Sequence, residues 1–335
     1  MPSLEQGSHR IVIAGATSLL ATELRSLLDE SRFAGADFRL LDEEIAAGTL
    51  TEAGGEAAVV QTVEEGSFNR ASKVFFCGTE DFTRANLAAA KAGGAKIIDL
   101  SGATAGDSGT VCWFPKLDAL HSRNFQRDAL VYAVPSAAAT VASSLALGLF
   151  KIGVSRLVVI CYQAVSEAGR AAIEELESQT GQLLSFQGMG QPVFDTQVAF
   201  NMLDRFGPGS KHKLSTVRER LRCETKASVG KKPVMPALQL VHAPVFYGTT
   251  FAACAELLPG TTLEQIAKSC EDAGFVISAD GESGPSNVSV AGEKVAHLAK
   301  PEEDPARPGA WWFWGAADNI RLPAANAVKL AEMLP

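Results

Sequence analysis

The chain has no CxxC pair, no cluster of histidines and no excess of one charge sign large enough to define a surface. Its six cysteines stand apart at positions 77, 112, 161, 223, 254 and 270, so neither a zinc centre nor a disulfide framework is indicated. Free thiols in a reducing cytoplasm account for them, and no metal is expected. The net charge of −8 comes with both signs interleaved, which argues against nucleic acid and against an anionic membrane as partner. The first ten residues lack the apolar core of a secretory signal. One uncharged stretch, 129–150, could cross a bilayer on length alone. Pro135 and the hydroxyls of Ser136, Thr140, Ser143 and Ser144 make it a poor lipid-facing helix, and 130–134 reads better as a buried strand ending at a turn. A cytoplasmic protein whose partners are small metabolites or other proteins is expected.

What is present is a two-part α/β pattern. The length of 335 residues suits two domains at the usual size of roughly 150 residues each. An apolar strand at 10–14, a turn at Gly15 and a helical repeat through Leu19, Leu20, Leu24, Leu27 and Leu28 make a βα unit. Strands at 38–41, 58–62, 73–77 and 96–100, with a helix at 84–92, extend the alternation and predict a mostly parallel, Rossmann-like sheet. From the strand at 156–162 the pattern changes. A helix at 169–182, strands at 239–245, 250–257, 276–278 and 288–290, and a helix at 263–273 predict an α+β domain with a mixed or antiparallel sheet. The expected division is 1–140, 141–318, and a helical end, 319–335, that returns to the first domain.

Cys161-Tyr162-Gln163-Ala164-Val165-Ser166, Gln197-Val198-Ala199-Phe200-Asn201, Ala243-Pro244-Val245-Phe246-Tyr247-Gly248 and Ala317-Asp318-Asn319-Ile320-Arg321 follow one another in an order and spacing that resembles aspartate-semialdehyde dehydrogenase. The opening Ile11-Val12-Ile13-Ala14-Gly15-Ala16-Thr17 and closing Ala324-Ala325-Asn326-Ala327-Val328 match the family's two ends. The resemblance implies a thiolate at a helix N-terminus that forms a thioester, and a histidine beside it that moves protons. On this chain those positions fall on Ala137 and Thr249. Neither side chain can do the work, and because nucleophile and base act as a unit the double loss leaves no catalytic residue retained. Ser136 lies one position early with no evident base, and Cys161 sits inside an apolar strand where a thiol is inert.

The resemblance also assigns the remaining site. Gln163 matches a substrate-positioning glutamine, although capping of backbone groups at the strand end is the plainer reason for it. Arg220 is the nearest match to an anion-binding lysine within the basic stretch 211–232, where Arg218 and Arg222 flank it, and a solvated face is the plain reading. His242 stands where a carboxylate-gripping arginine belongs, and Ser101-Gly102-Ala103-Thr104-Ala105 lacks the second arginine. Glu167 replaces a glycine and disfavours an acidic amino-acid substrate. For a dinucleotide the turn Gly15-Ala16-Thr17-Ser18-Leu19 keeps one of the family's glycines, and an ordinary turn is the alternative. Thr17, Ser18, Leu19, Gly78, Ser101 and Gly102 complete that set, with Asn319 near a nicotinamide. The acidic run Asp42-Glu43-Glu44 would accept from a ribose hydroxyl and repel a 2′-phosphate, favouring NAD over NADP; a solvated acidic loop is the other reading. Trp311-Trp312-Phe313-Trp314 reads as a buried strand rather than a stacking platform. Two functions remain: a catalytically degenerate homodimer similar to the Usg-type proteins, which lack the cysteine, or an NAD-linked oxidoreductase acting on another small aldehyde without a covalent intermediate.

Overall fold

The computed structural model describes residues 10–231, 233–279 and 281–335. The leader expectation on residues 1–9 and the Lys232 end of the basic stretch lie outside the described residues. Contacts divide the chain into two compact units: 10–113, 126–134 and 324–335 in the first, and 114–125 and 135–323 in the second. The division therefore falls between Val134 and Pro135, and the excursion 114–125 joins the second unit, which the expected contiguous division at 140/141 did not include.

In the first unit β1 (Arg10–Ala14), α1 (Leu19–Asp29) and β2 (Asp37–Asp42) form the opening turn of the fold. A hairpin of β3 (Leu50–Ala53) and β4 (Glu56–Val59) stands apart, followed by β5 (Gln61–Thr62), β6 (Ala71–Phe76), α2 (Glu80–Ala92), β7 (Lys96–Asp99) and β8 (Thr110–Cys112). After α3 (Leu117–Leu120), which belongs to the second unit, comes β9 (Val131–Ala133). The sheet runs β5-β2-β1-β6-β7-β9-β8 and every pairing in it is parallel, a Rossmann-like arrangement. Parallel strands covered on both faces need apolar residues at successive positions, and Ile11, Val12, Ile13 and Ala14 are all fully buried.

The second unit opens with α4 (Ala137–Phe150), followed by β10 (Arg156–Gln163), α5 (Arg170–Leu184), α6 (Leu214–Val229), β11 (Ala237–His242) and β12 (Thr249–Glu256). Then come α7 (Leu263–Asp272), β13 (Phe275–Ile277), β14 (Ala296–Leu298), β15 (Glu302–Glu303) and β16 (Ala310–Ala317). α8 (Arg321–Met333) carries the chain into the first unit at Ala324. The main sheet, β11-β10-β12-β16-β14-β13, is mixed: β10 pairs β11, and β13 pairs β14, in parallel, while the central pairs are antiparallel. The strand expected at 288–290 is instead a turn, closed by Ser286 and Ser289, whose hydroxyls each accept the other's backbone amide. Serine side chains compete with ladder bonds in this way.

α4 resolves the long apolar stretch. It is buried nearly all round, packed in one cluster with β10, β12, α6 and α7, and the Ser269 hydroxyl donates to the Gly148 carbonyl across the α4–α7 contact. A helix apolar on every side belongs inside a core. Among the described residues no helix is long and apolar enough to cross a membrane.

The sheet's two faces differ in a way the sequence reading missed. Trp311 and Phe313 are buried, but Trp312 and Trp314 are 48% and 42% exposed, so the aromatic run is not a uniformly buried strand. Side chains alternate across a strand. The Trp314 ring lies 6.2 Å from that of Tyr162, and the register sets Ile160 beside Ala252 and Ala252 beside Trp314. One face of the sheet thus meets the helices, and the other presents Val158, Ile160, Tyr162, Ala252, Trp312 and Trp314 as a half-exposed apolar surface.

Candidate functional site

In the second unit, the start of α4, the end of β10 and the middle of α6 meet around a narrow pocket that opens to solvent. Ser136, Ala138, Gln163, Glu167, Arg220 and Thr249 supply its wall. Val217, Leu221 and Leu240 give it an apolar side. Ala137 lies between two of these wall residues with no exposed surface, inside the main apolar cluster. Thr249 opens β12 and is 2% exposed.

Ser136 is the N-cap of α4: its Oγ accepts from the Ala139 amide at 3.3 Å. The sequence offered no base for it, yet the fold brings one, since its backbone amide and its hydroxyl both donate to Glu224 Oε2, at 3.0 and 2.6 Å. The two residues are 88 positions apart, which is why the pair was not legible. Glu224 Oε1 accepts from Arg220 Nε at 2.8 Å, one helical turn away, and Glu224 is 1% exposed. A buried carboxylate that satisfies three donors is a structural tie. Of the three neighbouring arginines, Arg220 alone lines the pocket; Arg222 pairs with Glu219, and Arg218 Nη2 donates to the Asp204 carbonyl.

Gln163 is 7% exposed and its Oε1 has no hydrogen-bond partner. The expected capping role is not seen: the Ala243 amide bonds instead to the backbone carbonyl of Gln163. Glu167 stands in a short 3-10 turn, 165–168. Although water reaches much of this residue, its carboxyl is crowded by protein, and that withdrawal from bulk solvent raises its pKa. Arg220 and the Asn319 amide pull it back down, while Glu224 adds to the rise.

Asn319, expected beside a nicotinamide, is 4% exposed and occupied within the protein. Its Oδ1 accepts from the Gly248 amide at 2.7 Å, and its Nδ2 donates to Ser166 Oγ and to Glu167 Oε1. It ties the turn before β12 to the turn carrying Glu167. Gly248 has φ +88, and a Cβ there would lie 2.9 Å from Asn287 Cβ, so this turn admits only glycine without strain. His242 does not line the pocket. It is 1% exposed beside Phe194 and Phe206, its Nε2 is 3.4 Å from the Val198 carbonyl, and burial lowers its pKa, so it is no anion clamp.

None of the cysteines lines the pocket. Burial pushes the Cys161 and Cys270 thiols up to about 12, and Cys77 higher still, so these remain protonated and unreactive. Cys223 is exposed and Cys254 half-buried. No group of acidic, histidine or cysteine side chains able to hold a metal occurs among the described residues.

Apart from Asn319, the dinucleotide candidates lie in the first unit. Gly15 and Gly78 bring two backbone turns into contact. The Gly15 and Ala16 amides donate to the Leu41 carbonyl and the Thr17 amide to Asp42, while Ser18 caps α1 by accepting from Ala21. That leaves the first amides of α1, those of Leu19 and Leu20, for an anion, which fits one end of a pyrophosphate. The ribose position fits less well. Asp42 Oδ2 accepts from both the amide and hydroxyl of Thr17, and Oδ1 from the Glu43 amide, so this carboxylate organises its own turn. Ser101 likewise donates through its amide and hydroxyl to the fully buried Asp99, and Gly102, at φ +85, shapes that loop.

Residues 10–142 match the model of the semialdehyde dehydrogenase NAD-binding domain, and residues 147–322 match that of the semialdehyde dehydrogenase dimerisation domain. The chain belongs to the semialdehyde dehydrogenase family. It is 27% identical over 332 residues to a USG-1 protein homolog from Pseudomonas aeruginosa, covering 97% of each chain. It is also 27% identical over 328 residues to aspartate-semialdehyde dehydrogenase 2 of Vibrio cholerae, again covering 97% of each. A solved structure of a probable aspartate-semialdehyde dehydrogenase from Pseudomonas aeruginosa superimposes with a TM-score of 0.84 at 26% identity, covering 97% of this chain and 98% of that one. Family members carry an NAD(P)-binding domain, and the matched dimerisation domain accords with a homodimer.

Proposed function

We propose that this semialdehyde dehydrogenase homologue is a homodimeric binding protein that does not perform acyl-thioester chemistry. The observation that supports this best is the chemistry of two positions: Thr249, in the pocket wall, is matched to the base, and Ala137, buried just behind the wall residues Ser136 and Ala138, is matched to the nucleophile. A carbonyl carbon entering the pocket meets a wall that includes Ala138, Gln163, Ser136 and Thr249. Ser136 is the one with a carboxylate in reach. Its hydroxyl caps α4, however, and Glu224 already shares its charge among Arg220 and two donors of Ser136, so neither group is free to exchange a proton with a substrate. The family's need for a low-pKa thiol is met nowhere around the site.

The test is intact mass after incubation with acetyl phosphate. The unmodified protein is expected to keep its mass, whereas Ala137→Cys, which returns a thiol to the start of α4, is expected to gain an acyl adduct. An adduct on the unmodified chain, at Ser136 or elsewhere, would overturn the reading. So would formation of reduced nicotinamide from NAD and a panel of small aldehydes, the signature of the oxidoreductase alternative.

A dinucleotide, when bound to the first unit, would supply nicotinamide as a hydride carrier. This chain's own part is to hold phosphate at the Leu19 and Leu20 amides and to select the ribose. Exposed Glu43 and Glu44 beyond β2 repel a 2′-phosphate, which favours NAD over NADP. In a calorimetric titration NAD is expected to bind more tightly, and a preference for NADP would refute the assignment.

A further inference from the structure

We propose that the pocket in the second unit takes a small ligand bearing a protonated amine, received between the carboxylate of Glu167 and the amide of Gln163. The inference rests on the reading of that pocket as a binding site and goes further by naming the class of ligand.

The first observation is the Gln163 amide. Its oxygen is buried and bonds to nothing in the protein, the residue lines the pocket, and an acceptor left unpaired in a pocket wall is open to a donor on a ligand. The second is the balance of charge. Glu167 and Arg220 are the charged residues of the described pocket wall, with Glu224 directly behind. Arg220 and Glu224 neutralise one another at 2.8 Å, and Glu224 also holds both Ser136 donors. Glu167 has only an amide, Asn319 Nδ2, at its Oε1. The group as a whole therefore carries one negative charge with nothing opposite it, and an ammonium supplies both the missing charge and the missing donors. Val217, Leu221 and Leu240 offer contact to a short hydrocarbon portion.

An anionic ligand fares worse for a structural reason. At Arg220 it competes with Glu224, which already holds the guanidinium through Nε at 2.8 Å, and it meets the like charge of Glu167 in the same wall. Arg220 and Glu224 face Glu167 from α6, and Asn319 faces it from the turn before α8.

The experiment follows the side-chain amide of Gln163 by nitrogen–proton NMR while the protein is titrated separately with n-propylammonium, propionate and propionamide, which are alike in size and differ in charge. Propylammonium is expected to move the Gln163 signal saturably, with propionate and propionamide weaker. Glu167→Gln, which keeps the shape and can still accept from Asn319, is expected to weaken the amine by about tenfold or more. Glu167→Asp, which keeps the charge, should retain a preference for the amine over propionate. Propionate binding as tightly as the amine, no movement of Gln163 with the amine, or an unchanged amine affinity in Glu167→Gln would each overturn the proposal. The outcome is separable from the acetyl phosphate test: an acyl adduct would remove the reading of a chemically silent pocket while leaving amine selectivity measurable, and failure of the amine titration leaves the mass result untouched.

Discussion

Gly15→Ala is expected to unfold the first unit at temperatures where the parent protein is fully native. Gly15 has φ +84, and a Cβ placed on it would sit 2.2 Å from the Gly78 amide nitrogen and 2.3 Å from Gly78 Cα. Both obstructing atoms are backbone, at the end of β6, and the adjoining Cys77 amide is tied to the Ala14 carbonyl at 2.7 Å. No side chain can swing aside. The left-handed conformation costs a non-glycine residue about 1–2 kcal/mol, and overpacking a rigid site adds about 1–3 kcal/mol or more. Together these amount to a large share of a total stability of about 5–15 kcal/mol. Gly35→Ala is the control: its φ is +77, but nothing lies within 4 Å of the added carbon, so only the conformational cost applies. Urea denaturation followed by far-ultraviolet circular dichroism measures the difference. Equal midpoints for the two variants would show that the Gly15–Gly78 contact is not what requires glycine.

The second large effect is expected on assembly. Trp312→Lys combined with Trp314→Lys should convert the dimer to a monomer in sedimentation velocity at micromolar protein, with little change in the melting of the protomer. Both rings stand on the outer face of β16, so the substitutions remove nothing from the helix-packed core. Their indole nitrogens are already satisfied, Trp312 by Asp304 at 2.9 Å and Trp314 by the Pro285 carbonyl at 2.8 Å, which leaves the ring faces for a partner. Buried interface tryptophans often contribute about 2 kcal/mol or more apiece, and two lysines brought face to face across a two-fold axis add repulsion. A dissociation constant higher by at least about a thousandfold is the expected result. If the parent protein sediments as a monomer, or the doubly substituted one remains a dimer, the outer sheet face is not the interface.

The βα alternation was legible in the letters because a parallel strand covered on both faces must be apolar at successive positions, as 11–14 is. The strand at 288–290 was misread because Val288 and Val290 suggest a ladder, whereas the hydroxyls of Ser286 and Ser289 close a turn locally. The aromatic run at 311–314 was misread for a different reason. Composition alone says that it is apolar, but only the helices packed on one face of the sheet decide which alternate rings find cover.

The candidate site divides in the same way. That Ala137 and Thr249 can neither attack a carbonyl nor move a proton follows from their side chains wherever the chain places them, and the sequence by itself determined the family. The occupations of the polar groups belong to the tertiary structure alone. Asp42 is drawn into the Thr17 turn, Asn319 ties Gly248 to Glu167, Ser136 meets Glu224 from 88 residues away, and Gln163 is left with an unpaired oxygen. A side chain's reactivity is intrinsic to its atoms, but whether a hydrogen-bonding group is spent or available depends on partners that only folding brings within 3 Å or so.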